Sequence, residues 1–282
     1  MLALDVDKIR IQCGRKFSLH CRRQGRGPVK GANTIDLTGQ VGIVTGGTRG
    51  LGRQIAVALA DAGARVTVCG RTEPDDLPEG VDFRAADVRD PDQAAALVDA
   101  IAAQHGRLDI LVNNAGGSPQ APATASPRFF DAIVRLNLHS AMYMSQAAYA
   151  HMARAGCGSI VNIASVSGIR PSPMTAAYGA AKAGLLNLTQ SLAQEWGPDG
   201  VRVNAIIVGL MQTETSEETY GDAEAQAAVG RSMPLGRMGT GQDIAGAVLW
   251  LSSSLAAWVS GARINVDGGG ERPYFLDLVK GS

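Results

Sequence analysis

Tyr178 and Lys182 stand one helical turn apart in the run YGAAK, and Ser165 closes the run SIVNIAS thirteen residues before the tyrosine. On a helix, positions four apart share a face. A phenol, with an ordinary pKa near 10, is a poor base at neutral pH, and a neighbouring ammonium favours its phenolate. Bringing it to about 7 requires roughly 4 kcal/mol of differential stabilisation, which a lysine together with a second cationic group can supply. A serine hydroxyl at the carboxyl end of a parallel strand faces the crevice where ligands bind in such sheets. It can hold a carbonyl oxygen while the tyrosine delivers or accepts a proton. The chemistry expected is acid–base work on a carbonyl–alcohol pair.

A second constellation is TGGTRGLG, residues 45–52. Its glycines permit a tight turn and let a pyrophosphate approach the N-terminus of the helix that follows, where exposed N–H groups and the helix dipole favour an anion. The cofactor contacts expected of this loop run through Thr45, Gly46, Thr48, Arg49, Gly50, Leu51 and Gly52. In such folds an acid about 20 residues on, at the end of the second strand, accepts the ribose 2′-hydroxyl of NAD. Here that strand ends in VCGRTE, and Arg71 stands where the acid would be. A guanidinium suits a 2′-phosphate, and Arg49 approaches the same place from the glycine loop. The two arginines argue for NADP over NAD. The alternative leaves both in solvent and puts Glu73 on the ribose of NAD. Asp87 and Val88, after the third strand, fall near the adenine edge, although an aspartate there equally fits a turn cap.

These residues need a scaffold, and the chain from residue 40 onward supplies the pattern of one. The runs 41–45, 64–69, 82–86, 109–113, 159–164, 201–207 and 262–266 read as strands, and 50–62, 91–105, 127–154, 176–196 and 241–253 as helices. Unbroken apolar strands alternating with helices imply a parallel sheet covered on both faces. With right-handed crossovers the fold class is α/β: a doubly wound, seven-stranded parallel sheet of Rossmann type. No Pro-, Gly- or Ser-rich linker divides it, so 37–282 is expected to be a single domain. The polar stretch 210–235 is too long for filler and reads as a lid or binding loop.

The 282 residues carry no net formal charge, but residues 1–33 hold eight Lys/Arg against two acids, leaving 18 bases and 24 acids on the rest. A mildly acidic body argues against a nucleic-acid-binding surface. Residues 1–36 are expected to be a disordered basic extension; they lack the apolar core of a secretory signal. No apolar run of eighteen or more residues suggests a membrane span. Cys13, Cys21, Cys69 and Cys157 show no metal or CxxC spacing, which points to a reduced, cytoplasmic protein. His20, His105, His139 and His151 fall in none of the patterns above, and no metal site is expected.

Taken together, TGGTRGLG, NNAG (113–116), Asn137 in RLNLHSA, Ser165, YGAAK, VRVNAI (201–206), the run from PLGRM to LWLSS (234–253) and VSGARINVDGG (259–269) resemble the short-chain dehydrogenase/reductase family over about residues 37–270. The resemblance implies Tyr178 as general acid/base, Lys182 lowering its pKa and binding the nicotinamide ribose, and Ser165 orienting the substrate oxygen. It implies that Asn137 holds a water linking Lys182 to solvent. Asn113, Ala115 and Gly116 would line the cofactor's ribose side, and Thr213 would contact the cofactor after the sixth strand. One position departs: Val208-Gly209 stands where the family usually has Pro-Gly.

The function expected is NADP(H)-dependent interconversion of a ketone or aldehyde with its alcohol, on a small-molecule substrate. One alternative is a 3-oxoacyl carrier-protein reductase; Glu195 and Asp199, read as acidic residues at the pocket rim, would disfavour docking of an acidic carrier. Another is a non-catalytic NADPH-binding sensor. The family also implies a homo-oligomer, tetramer or dimer, built on the helices at 127–154 and 176–196.

Overall fold

Seven strands form one parallel sheet in the computed structural model, which describes residues 35–271 except residue 215. The basic segment read in 1–33 and the end of the chain from 272 lie outside the described residues. The strands are β1 (Val41–Thr45), β2 (Arg65–Gly70), β3 (Val81–Ala85), β4 (Ile110–Asn113), β5 (Gly158–Ser165), β6 (Val201–Val208) and β7 (Arg263–Val266). Their order, β3-β2-β1-β4-β5-β6-β7, reverses between β1 and β4. A crevice opens at that switch point beyond the strands' carboxyl ends. The doubly wound sheet is as the strand–helix alternation predicted.

The unbroken apolar strands follow from burial on both faces. Val44, Val66, Val68, Ile110, Val112 and Val161 pack on one face beneath α1 (Gly50–Asp61) and α8 (Gly241–Ser252). Val41, Ile43, Leu111, Ile160 and Val203 pack on the other, beneath α2 (Pro91–His105), α4 (Ser140–Ala155) and α5 (Ala176–Trp196). Local chemistry sets the ends. At α2, Asp90 accepts from the N–H groups of Asp92 and Gln93, Pro91 sits in the first turn, and Gly106 stops the helix in the left-handed region.

Two stretches differ from expectation. The single helix expected at 127–154 is α3 (Pro127–Val134), one π turn (Arg135–His139) and then α4. A π turn adds a residue to the turn without interrupting the apolar stripe, so periodicity does not reveal it. The stretch expected as a loop at 210–235 contains α6 (Ser216–Tyr220) and α7 (Ala223–Ser232), the latter capped by Asp222. Among the described residues no helix is long and apolar enough to cross a membrane.

Candidate active site

The carboxyl ends of β1, β4, β5 and β6 meet at the crevice, and hydrogen bonds tie them together. At the end of β1, the Thr45 hydroxyl accepts from the backbone N–H groups of Asn114 and Ala115 at 3.0 and 2.9 Å. The Asn114 amide donates to the carbonyls of Thr45 and Gly46. Asn114, which the sequence pattern did not single out, therefore clamps the glycine loop. Asn113 turns the opposite way, as strand alternation requires. Its amide nitrogen lies in the core, donating to Ser145 and Asn162 at 2.9 and 2.8 Å, and its buried amide oxygen has no hydrogen-bond partner among the described residues. Asn113 thus braces the sheet rather than lining the crevice.

The glycine loop is shaped for close approach. Gly46 and Gly50 have φ of +62° and +54°, and a Cβ on Gly52 would meet the Gly46 carbonyl oxygen at 2.4 Å. Leu51 packs into the core beneath the loop, and Thr48 lies against Gly70 at the end of β2. Arg49 precedes α1 in extended conformation, and α1 has no side-chain cap and no acid in its first turn. An anionic pyrophosphate fits an uncapped helix start of this kind. One carboxylate leans the other way: the Glu214 Oε2 lies 3.6 Å from the Cβ position of Gly50.

Arg49 and Arg71 are exposed, and neither joins an ion pair among the described residues. Arg71 is close enough to help lower the Asp87 carboxyl. The main cause of that lowering is Arg89, whose guanidinium grips both Asp87 oxygens, while the Arg89 N–H donates to Oδ1 at 3.0 Å. Asp87 is thus engaged in the turn ahead of α2, and Val88 beside it is buried.

Ser165 ends β5, paired with Val208, which in turn pairs with Val266. The Ser165 hydroxyl is hydrogen-bonded to the phenol of half-buried Tyr178 at the start of α5. Beneath them Lys182 is only 3% exposed. Its Nζ donates to the Ile163 carbonyl at 2.7 Å and lies 5.5 Å from the centre of the Tyr178 ring. Burial raises Tyr178 above its ordinary value, the Ser165 hydrogen bond pulls it back, and nearby Tyr220 raises it further. Burial also draws Lys182 down to about 8. Desolvation is the leading cause at both groups, and the Lys182 ammonium is turned to the Ile163 carbonyl.

Asn137 sits in the π turn. Its amide donates to the carbonyls of Gly117 and Ile133 and accepts from the Gly117 N–H, all at 2.9 Å. Gly116 lies where Asn137 and Lys182 converge: a Cβ there would be 2.7 Å from Asn137 Oδ1 and 3.2 Å from Lys182 Nζ. Thr213, whose N–H donates to the Ser216 hydroxyl at 2.6 Å, begins the turn into α6. Val208 keeps the ladder that a proline would interrupt, and the following Gly209 N–H donates to Val266. Glu195 and Asp199 are not at the pocket rim. They precede β6, at the amino ends of the strands and so at the opposite end of the sheet from Ser165, and Asp199 accepts from the Tyr149 hydroxyl. Among the described residues no cluster of His, Cys, Asp and Glu could hold a metal.

Reversed strand order, a glycine turn opening α1, and a Ser–Tyr pair over a buried lysine at the strand ends place the molecule in the Rossmann class of nucleotide-binding folds. A family described as Enoyl-(Acyl carrier protein) reductase matches residues 46–271. The 2-dehydro-3-deoxy-D-gluconate 5-dehydrogenase of Escherichia coli (strain K12) is 35% identical over 84% of this chain and 97% of its own length. The 3-oxoacyl-(acyl-carrier-protein) reductase FabG of Chlamydia muridarum is 34% identical over 83% of this chain and 98% of its own. A solved structure of a candidate short-chain alcohol dehydrogenase from Sinorhizobium meliloti 1021 superposes with a TM-score of 0.78 at 40% identity, covering 83% of this chain and 97% of that one. The chain belongs to the short-chain dehydrogenase/reductase family. It is an oxidoreductase acting on alcohol and carbonyl groups, in a family whose members bind NAD(P).

Proposed function

We propose that this enzyme interconverts a ketone or aldehyde and its alcohol with NADP(H), Tyr178 serving as general acid and base. The observation that carries the reading is the hydroxyl pair of Tyr178 and Ser165 at the end of β5, with Lys182 buried beneath. Bound NADP(H) supplies the hydride chemistry. Ser165 holds the substrate oxygen, and Tyr178 gives it a proton in reduction or takes one in oxidation. Lys182 replenishes that proton and holds the nicotinamide ribose, and Asn137, facing the same point above Gly116, links it to solvent. Thr45, Gly46, Thr48, Arg49, Gly50, Leu51 and Gly52 cradle the pyrophosphate side, while Ala115, Gly116 and Thr213 border the ribose and nicotinamide. Asp87 and Val88 border the adenine. Preference for NADP rests on Arg49 and Arg71, two guanidinium groups with no ion-pair partner among the described residues, at the place a 2′-phosphate would occupy.

We also read the enzyme as a cytoplasmic homo-oligomer, tetramer or dimer. The cytoplasmic reading rests on the four cysteines, whose spacing fits neither a metal site nor a CxxC pair. Fully exposed Trp258 and exposed Leu255, beside the edge strand β7, are an apolar pair of the kind interfaces cover. Sedimentation of Trp258→Glu against the parent tests this; an unchanged assembly removes that surface from the interface.

The first experiment compares NADPH and NADH consumption over a panel of ketones, aldehydes and β-keto acyl thioesters, with Tyr178→Phe alongside. The expected result is NADPH-dependent turnover that falls about 100- to 10,000-fold in the variant. Undiminished turnover in Tyr178→Phe removes the acid–base assignment. Preference for NADH removes the role given to Arg49 and Arg71.

A further inference from the structure

Beyond Val166, the residue after Ser165, lies a cavity of about 190 Å³ lined by Val166, Ile169, Leu210 and Met233, with Arg170 and Glu271 among its walls. The Arg170 guanidinium donates to the Glu271 carboxylate, and its other amino group donates to the Pro171 carbonyl. The third charged wall residue, Asp267, is engaged by the Asn265 amide and the Gly269 N–H. Tyr220 joins this pair to the catalytic centre. Its hydroxyl is hydrogen-bonded to the Met211 backbone, feels both Arg170 and Glu271, and acts electrostatically on Tyr178.

Two features make the ion pair easy to open. Its side chains are 38% and 39% exposed, so solvent screens it. Glu271 also follows Gly268, Gly269 and Gly270, with φ of +66°, +95° and +79°, a run that only glycine adopts readily. The carboxylate thus hangs on a compliant arm, whereas Arg170 is fixed beside the short turn that follows Ser165.

We propose that Arg170 anchors a carboxylate carried by the substrate, and that Glu271 is an internal carboxylate occupying the anchor until the substrate's replaces it. The inference rests on the alcohol–carbonyl reading above and names its substrate class: small keto acids and their hydroxy acids. A guanidinium binds one carboxylate as well as another, so the exchange leaves no charge unpaired at the anchor. A neutral substrate has nothing with which to displace Glu271, and a cation meets Arg170. Competition from Glu271 reduces the apparent affinity for the acid by the fraction of time the anchor is taken.

The test measures kcat/KM of the full-length protein with NADPH for pyruvate, acetoacetate and levulinate against their methyl esters, in the parent, Arg170→Gln and Glu271→Gln. The parent is expected to favour at least one acid over its ester by about tenfold or more, the worth of a charge-assisted hydrogen bond. Arg170→Gln should bring that ratio close to one, and Glu271→Gln should lower KM for the acid several-fold. Equal use of acid and ester by the parent, or an equal loss for both in Arg170→Gln with the ratio intact, overturns the proposal. Calorimetry of the NADP-loaded protein keeps the two readings separate. Acid binding that disappears in Arg170→Gln, without any turnover, supports the anchor and removes the alcohol–carbonyl reading. Acid binding no tighter than ester binding overturns the anchor.

Discussion

Burial moves the two central titrating groups away from their ordinary values in opposite directions, the Tyr178 phenol up and the Lys182 ammonium down to about 8. Each neutral form is favoured, and the Ser165 hydrogen bond works against that at the tyrosine. A phenol held protonated is a ready donor to a carbonyl, so proton delivery in the reductive direction needs no prior adjustment. Glu214 is the residue that opposes the proposed cofactor, because its carboxylate leans toward the glycine turn at the start of α1. A charge about 4 Å from another, in water, is worth about 1 kcal/mol. Glu214→Gln should therefore tighten NADPH binding about fivefold; titration of cofactor fluorescence measures it, and unchanged binding would show that Glu214 swings clear.

The start of α5 is seated on the short turn Val166–Gly168, and this contact places Tyr178 and Lys182. A Cβ on Gly168 would come within 2.8 Å of the Lys182 carbonyl carbon and 2.9 Å of the Ala183 nitrogen, both backbone atoms with little freedom to yield. Gly168→Ala should cost about 1–3 kcal/mol of stability. It should lower kcat by more than that loss of folded protein explains, since α5 must shift away from Ser165. Chemical denaturation with kcat measured on the folded fraction checks it; full kcat would mean that the turn moves instead. The π turn does the same kind of work for Asn137, setting its amide against Gly117 and toward Lys182.

At the scale of the molecule, the buried ammonium is a burden on stability. Lys182 stands at about 8 when folded and near its ordinary 10.5 when unfolded. Between those values the unfolded chain binds more protons, so stability rises with pH from about 8 to 10.5; below that window the cost is constant, at about 3 kcal/mol. Lys182→Met should thus be more stable than the parent by about 1–3 kcal/mol at neutral pH while losing activity. Its stability should also lack the rise above about pH 8, and denaturant midpoints at two pH values decide it; a less stable variant would mean that the Ile163 hydrogen bond outweighs desolvation. Strand–helix alternation from residue 40, the glycine turn, and the Ser165–Tyr178–Lys182 spacing were legible along the chain, because each depends on local periodicity and on residue types with one dominant use. Tertiary contacts settled what no periodicity encodes. Asn113 braces the core while Asn114 clamps the glycine loop, since a one-residue step along a strand reverses the side chain. Asp87 is engaged by Arg89, Glu195 and Asp199 lie at the amino ends of the strands, away from the crevice, and helices α6 and α7 occupy a stretch too polar to announce them. The pairing of Arg170 with Glu271, 101 residues apart, lay beyond any local reading because only the folded sheet brings such distant residues together.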